Sequence, residues 1–223
     1  MWTETQLGFE KTIENKLIFF GKKGCTLADL KMHFKEIEFR TVHQTHSDIS
    51  IFSSAGSEII QADAHFTQEM NVGLVIKTAD CIPLLIEIPT KKTILAIHAG
   101  WRGVENQITV KALGRLRLDA NDVITAYIGP HILKESFEVQ SDVKDLLLQS
   151  AFGEKQNFVS LRGNKYTIDL QNIIKTQIES IISSASIHLT NMDTYQNLLF
   201  NSYRTDQTKL RNISFIAQKM AAV

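Results

Sequence analysis

The chain is short of the features that most quickly sort a sequence into a class: its 223 residues include only two cysteines and three prolines, and 24 Lys and Arg balance 24 Asp and Glu. Cys25 and Cys81 lie in dissimilar surroundings, and a lone bridge is unusual in a reducing compartment, so both are expected as free thiols. Pro83, Pro89 and Pro130 fall within or beside apolar segments. With no Pro/Gly/Ser-rich linker, low-complexity tract or internal repeat, one domain over residues 1–223 is the simplest organisation. A neutral chain without a Lys/Arg-rich tract lacks the electrostatic footprint of a duplex-binding protein, which argues against a nucleic-acid partner. No apolar run approaches the roughly 20 residues of a membrane span. The opening stretch, MWTETQLGFEKTIENKLIFF, lacks the basic start and apolar core of a secretory signal. No membrane partner and a cytoplasmic location are therefore expected. There is no GxGxxG after a strand and no GxxxxGK followed by Ser or Thr, which removes the usual support for dinucleotide-binding and P-loop folds.

What remains is an ordinary globular composition, 43% apolar and 22% charged, able to bury a substantial core. Runs rich in β-branched and aromatic residues predict strands near Leu17–Phe20, Ile37–Val42, Ile49–Phe52, Val72–Ile76, Leu84–Ile88, Ile94–Ile97, Val123–Ile128 and Ser214–Ala217. Leu170, Ile173, Ile174, Ile178, Ile181 and Ile182 form one stripe at helical spacing, with Asp169 placed as its N-cap. Two more helices are predicted over about Val104–Leu118 and Asp142–Gln149. Strands cluster early and helices are scattered, which indicates an α+β fold, a single domain with mixed β-sheets flanked by helices, rather than a regular βαβ alternation.

The densest chemistry lies in two neighbouring segments, TADCIPLL (Thr78–Leu85) and AIHAGWRG (Ala96–Gly103). Each sets a reactive side chain at the end of an apolar run: Cys81 follows Asp80, and His98 precedes Gly100, Arg102 and Gly103. His43 and His46, in TVHQTHSD, complete the candidate set. Two chemistries fit. In a cysteine hydrolase Cys81 attacks, His98 takes its proton, and a carboxylate or amide orients the imidazole. In a metal enzyme two His and one Cys hold zinc tetrahedrally and leave the fourth position to water, whose pKa falls to about 7. A plain packing role is the alternative to both, with Cys81 a small buried hydrophobe and His98 satisfied by backbone. Polar and glycine residues gathered at strand ends fit the mouth of a pocket better than a core, but spacing does not choose between attack and ligation.

These segments resemble the laccase-domain family, also called YfiH-like or polyphenol oxidase proteins and treated as purine nucleoside phosphorylases. The resemblance extends through HQTHSD (His43–Asp48), ADAHFT (Ala62–Thr67), YIGPHILKESFEV (Tyr127–Val139), YTIDL (Tyr166–Leu170) and SYR (Ser202–Arg204), in order from about residue 40 onward. It implies a YfiH-like cysteine-hydrolase type fold and a catalytic zinc on His46, Cys81 and His98, with copper as the alternative metal. His46 is the matching histidine because Gln44 aligns with the family's glutamine; His43 is left as an accessory or surface residue. The implied activities are phosphorolysis of adenosine, inosine and S-methyl-5′-thioadenosine, and deamination of adenosine. The corresponding partners are purine nucleosides and phosphate, taken by a monomer or weak homodimer. Asp63 and Asp80 are the candidate catalytic acids beside Cys81, and Arg102 and Arg204 the candidate phosphate ligands.

The sequence also departs from the family pattern. Residues 19–40 are shorter than the usual N-terminal segments, so the N-terminal part is expected to be trimmed. Asp193 and Gln196 stand where cysteines are frequent, and Ser136 and Phe137 where Cys and Tyr are frequent. Three other functions compete. A copper-dependent polyphenol oxidase is disfavoured because seven histidines are too few for the several His-rich sites of a multicopper laccase. The others are a metal-free Cys81/His98 hydrolase and a noncatalytic partner-binding protein linked to cell-wall or division processes.

Overall fold

All eight segments predicted as strands are strands, and the central ones, such as β8 and β9, are almost uniformly apolar because both of their faces are covered. The computed structural model describes residues 1–54 and 59–220. One six-stranded sheet runs in the order β1 (Thr3–Glu4), β2 (Gly8–Ile13), β3 (Lys16–Gly21), β15 (Asn212–Gln218), β7 (Val72–Thr78), β4 (Glu38–Thr41). A second runs β14 (Ser186–Leu189), β10 (Thr125–Ile128), β8 (Ile82–Ile88), β9 (Thr93–Ala99), β6 (Ala64–Thr67), β5 (Ser50–Phe52). A small third sheet is built from β11 (Glu138–Val139), β13 (Lys165–Ile168) and β12 (Val159–Arg162). The first two mix parallel and antiparallel pairs, so the fold is mixed α+β.

The layers follow from which residues share a cluster. Ile18, Phe20, Leu74, Ile76 and Ile216 of the first sheet pack against Leu85, Ile94, Ala96 and Tyr127 of the second. The first sheet's other face, with Phe19, Val75 and Phe215, is closed by Leu30 and Phe34 from the segment around α1 (Leu27–His33). The second sheet's other face, with Leu84, Ile86, Leu95, Ile97 and Ala126, is covered by α2 (Trp101–Glu105), α3 (Ile108–Gly114), α4 (Ser141–Ser150) and α5 (Leu170–Glu179). A short α6 (Tyr203–Asp206) precedes β15. Among the described residues no helix is long and apolar enough to cross a membrane.

Asp169 caps α5, its carboxylate accepting from the Asn172 backbone N–H, as the sequence predicts. The predicted helix 104–118 is instead two helices starting at Trp101, because Gln107 takes a left-handed φ of 57° and breaks the run. Helix α1 was not predicted from its apolar spacing; it is held at its start by a reciprocal capping box between Thr26 and Asp29.

One residue between the sheets is anomalous. His65 lies opposite Ala96, is fully buried, and neither ring nitrogen has a hydrogen-bond partner of normal geometry. Burial, offset only by the Val75 backbone and reinforced by the Arg40 charge, lowers its pKa to about 4. Because the folded pKa is the lower one, the unfolded chain takes up a proton near 6.5 that the fold refuses until about 4, so stability is lost as pH falls through that window. The loss is on the order of 3 kcal/mol at about 1.4 kcal/mol per unit. Denaturant unfolding at stepped pH should show His65→Leu losing about that much less stability than the parent between pH 6.5 and 4. Parallel pH curves for the two proteins would contradict it.

Candidate metal centre

The site forms where the chain crosses between the two sheets. Residues 42–49 lead from β4 in the first sheet to β5 in the second, and residues 79–81 lead from β7 to β8. His46 lies on the first crossing and Cys81 on the second, while His98 projects from β9, where it pairs with Pro83. Their donor atoms all lie within 4.8 Å of one another, the one group of three or more such ligands among the described residues. Cys81 Sγ is 3.8 Å from His46 Nε2, and the His46 and His98 rings meet edge to face with centroids 4.7 Å apart.

Asp63, in the turn before β6, holds this arrangement. Its carboxylate is fully buried and accepts from the backbone N–H groups of Thr45 (3.1 Å), His46 (3.0 Å) and Ser47 (2.6 Å) and from the Ser47 hydroxyl (2.7 Å). Its Oδ1 also lies 2.7 Å from His98 Nδ1. Burial works against the ionised carboxylate, but the hydrogen bonds from His98 and Ser47 outweigh it and hold Asp63 far below the usual carboxylate range. An ionised acceptor at Nδ1 assigns the His98 proton to that nitrogen and leaves Nε2 directed at Cys81 and His46. The same contacts hold His46 at a left-handed φ of 62°, a conformation costly for a residue with a side chain.

Asp80 is also left-handed, with φ 79°. Its Oδ1 accepts from the Thr194 hydroxyl at 2.7 Å and its Oδ2 from the Arg204 backbone N–H at 2.6 Å. Both of its oxygens therefore point away from the donors, and the contact fastens the start of α6 over the site. Gly100, at the head of α2, completes the floor: a Cβ there would lie 2.9 Å from His46 Cδ2 and 3.1 Å from Cys81 Sγ. Only glycine leaves the donor atoms clear.

The group opens into a cavity of about 680 Å³. Asp80, Arg102 and Arg204 line it together with Cys81, His46 and His98; Asp63 does not. Arg102 lies over the Trp101 ring at 4.5 Å and Arg204 over Phe137 at 5.6 Å. Arg204 also reaches a second, smaller cavity beyond Trp101 and Phe137. Sequence reading missed Trp101, Tyr203, Lys77 and Arg211 in this lining, although Trp101 sits inside the AIHAGWRG segment. Three of the departures from the family pattern prove to be one cluster: the Ser136 hydroxyl donates to Asp193 at 2.5 Å and accepts from Gln196 at 3.1 Å.

The donor set fits a tetrahedral metal. Zn–N near 2.0–2.1 Å and Zn–S near 2.3 Å place N and S ligands about 3.5 Å apart, close to the 3.8 Å between His46 and Cys81. Two imidazoles and one thiolate would supply three of the four ligands of a tetrahedral zinc ion. Burial opposes ionisation of Cys81, but His98 and His46 outweigh it and bring the thiol down to about 6. Burial likewise opposes charge on His98, and the Cys81 thiolate and Asp63 raise it to about 9 instead.

Residues 25–219 match the family model described as multi-copper polyphenol oxidoreductase laccase. A purine nucleoside phosphorylase of Rickettsia conorii is 28% identical over 204 residues, covering 86% of this chain and 84% of that protein. One from Rickettsia prowazekii is 28% identical over 177 residues, covering 78% and 72%. The crystal structure of a Bacillus licheniformis hypothetical protein, YfiH, superposes with a TM-score of 0.87 at 19% identity, covering 98% of this chain and 99% of the other, and shares its fold.

The two thiols should separate sharply in reactivity. Burial, with Asp29 nearby, raises Cys25 to about 11, whereas His98 and His46 outweigh burial and lower Cys81. Iodoacetamide at pH 7, read by mass spectrometry of the metal-free protein, should label Cys81 at least tenfold faster than Cys25, and added zinc should protect Cys81. Equal labelling, or labelling indifferent to zinc, would contradict the donor geometry.

Proposed function

Because the chain belongs to the multi-copper polyphenol oxidoreductase laccase family, whose matching Rickettsia members carry the name purine nucleoside phosphorylase, we propose that it is a zinc-dependent purine nucleoside phosphorylase. The observation that carries this reading is the His46, Cys81, His98 group at the floor of a cavity also lined by Arg102 and Arg204. Zinc held by these three residues supplies Lewis acidity toward negative charge developing on the substrate.

The remaining roles belong to the chain. Asp63 fixes the His98 tautomer and the left-handed turn at His46, and so acts as a positioning residue rather than a proton donor. Arg102 and Arg204 hold phosphate through planar, paired N–H donors and aim it at the ribose C1′. Asp80 sets the position of Arg204 through its backbone N–H. Trp101, Ile132, Phe137 and Leu170 supply the apolar wall against which a purine excludes water. A phosphate oxygen then bonds to C1′ as the C1′–N9 bond breaks, and the base leaves with the electron pair.

Deamination of adenosine is a second proposed activity with less support from the geometry. It needs a proton donor for the departing amine, and the oxygens of both Asp63 and Asp80 are already engaged. A metal-free hydrolase gains support from one specific feature: Cys81, His98 and Asp63 follow one another as nucleophile, base and orienting carboxylate. A multicopper oxidase draws little support, since the described residues contain one three-donor group.

Metal-analysed protein incubated with adenosine should release adenine and ribose 1-phosphate only when phosphate is present. Arg102→Ala should lower kcat/KM for phosphate about 10–100-fold, the scale of a lost charge-assisted hydrogen bond. No product from protein carrying stoichiometric zinc would sink the reading. Activity that survives chelation but not Cys81 alkylation would transfer it to the hydrolase.

A further inference from the structure

The basic side chains of the large cavity fall into two groups. Arg102 heads the helix after β9 of the second sheet, and Arg204, with Trp101 and Phe137, also borders the smaller cavity. His43, Lys77 and Arg211 line the large cavity but not the smaller one, and they belong to the end of the first sheet.

All three stand near one end of the first sheet: Lys77 in β7, His43 just after β4 and Arg211 just before β15. Lys77 pairs with Ile213 across the β7–β15 ladder, so the two share a face. Arg211 immediately precedes β15, next to Asn212, which pairs with Thr78 at the end of the same ladder. On the other flank of β7 the parallel β4 ladder ends with Thr41 opposite Val75, and His43, two residues on, turns to bridge Gln61. Gln44 locks this edge: its side-chain amide donates to the Lys77 carbonyl and its oxygen accepts from the Lys77 N–H, both at 2.8 Å. Arg211 is steadied by donating from one guanidinium nitrogen to the carbonyls of Thr208 (2.7 Å) and Leu210 (2.8 Å).

Little opposes this charge. Asp80, the one carboxylate lining the cavity, is turned onto Thr194 and the Arg204 backbone. Among the described residues none of Lys77, Arg102, Arg204 and Arg211 makes an ion pair, although the chain as a whole is neutral. A cleft lined by charge of one sign focuses its field and concentrates counter-ions. One inorganic phosphate matched by Arg102 and Arg204 leaves the second basic group without a ligand.

We propose that His43, Lys77 and Arg211 form a second anion subsite that takes a phosphoryl group carried by the substrate, so that the cavity selects a nucleoside 5′-monophosphate over the bare nucleoside. This rests on the phosphorolysis reading above. In the reaction, an oxygen of hydrogen phosphate bonds to C1′ as the C1′–N9 bond breaks. The base departs with the bonding pair, and the proton of hydrogen phosphate ends on its nitrogen. The products are free base and ribose 1,5-bisphosphate.

The test is calorimetric titration of the zinc-loaded protein with adenosine 5′-monophosphate and with adenosine, in buffer free of inorganic phosphate. The monophosphate should bind about 10–100-fold more tightly, the scale of charge-assisted contacts. That preference should shrink as salt rises and should vanish in the Lys77→Ala/Arg211→Ala double variant, whose folding is checked by thermal melting. A single Lys77→Glu variant, which reverses one exposed charge, should invert the preference if the double variant does not fold. Equal affinities, or a preference that survives the substitutions, would overturn the subsite. So would inorganic phosphate alone losing affinity in the variant without any discrimination between the two ligands, because the group would then serve free phosphate. Binding is read apart from turnover. Adenosine phosphorolysis without monophosphate preference sinks the subsite alone, whereas preference without any released base sinks the phosphorolysis reading and leaves the subsite standing.

Discussion

The buried Asp63 carboxylate is the contact on which the centre depends. A charge removed from water must be matched by donors, and Asp63 finds them on two separate parts of the chain: the 45–47 turn and the His98 ring. Satisfying one carboxylate therefore draws together the crossing that carries His46 and the strand that carries His98. It also offsets the left-handed strain at His46, which no local feature of His-Ser-Asp would favour. Without Asp63 the turn would lose four N–H or O–H contacts at once, and His98 would lose the acceptor that directs its second nitrogen into the cavity.

The layered sheets make such a contact possible. Because both faces of each central sheet are covered, the crossings between them are the natural places for polar groups to reach the surface together. Cys81 ends one crossing, His46 lies on another, and Gly100 begins the helix that closes the floor. Asp80 plays a parallel part on the opposite side, tying α6 and Thr194 to the strand end and so placing Arg204 over the mouth. The two aspartates thus divide the work: one orders the donors and the other orders the wall.

Much of this was legible in the sequence, and what was not has identifiable causes. The β-branched runs gave the central strands because those strands are buried on both faces and need little else. Strands β11 to β13 were missed because they are short and partly exposed, and the alternation in VSLR and KYTI runs for only four residues each. Helix 104–118 was overextended because nothing in Asn-Gln-Ile announces the left-handed break at Gln107. At the site, His46, Cys81 and His98 could be named from short motifs, since each carries its chemistry in its own side chain. The structure sets Asp63 against the His98 ring and Asp80 in the cavity wall, and which oxygen faces which donor depends on contacts with Ser47, Thr194 and Arg204 elsewhere in the chain. Lys77 and Arg211 were out of reach for a related reason: they come to one cavity only because β7 and β15, far apart in the chain, pair in one sheet.

The most direct test of the central claim is anomalous diffraction at the zinc edge from crystals of zinc-loaded protein. The account predicts one peak within about 2.0–2.3 Å of His46 Nε2, His98 Nε2 and Cys81 Sγ, with Asp63 still bonded to His98 Nδ1. Stoichiometric zinc bound elsewhere, or no peak between these three atoms, would contradict it.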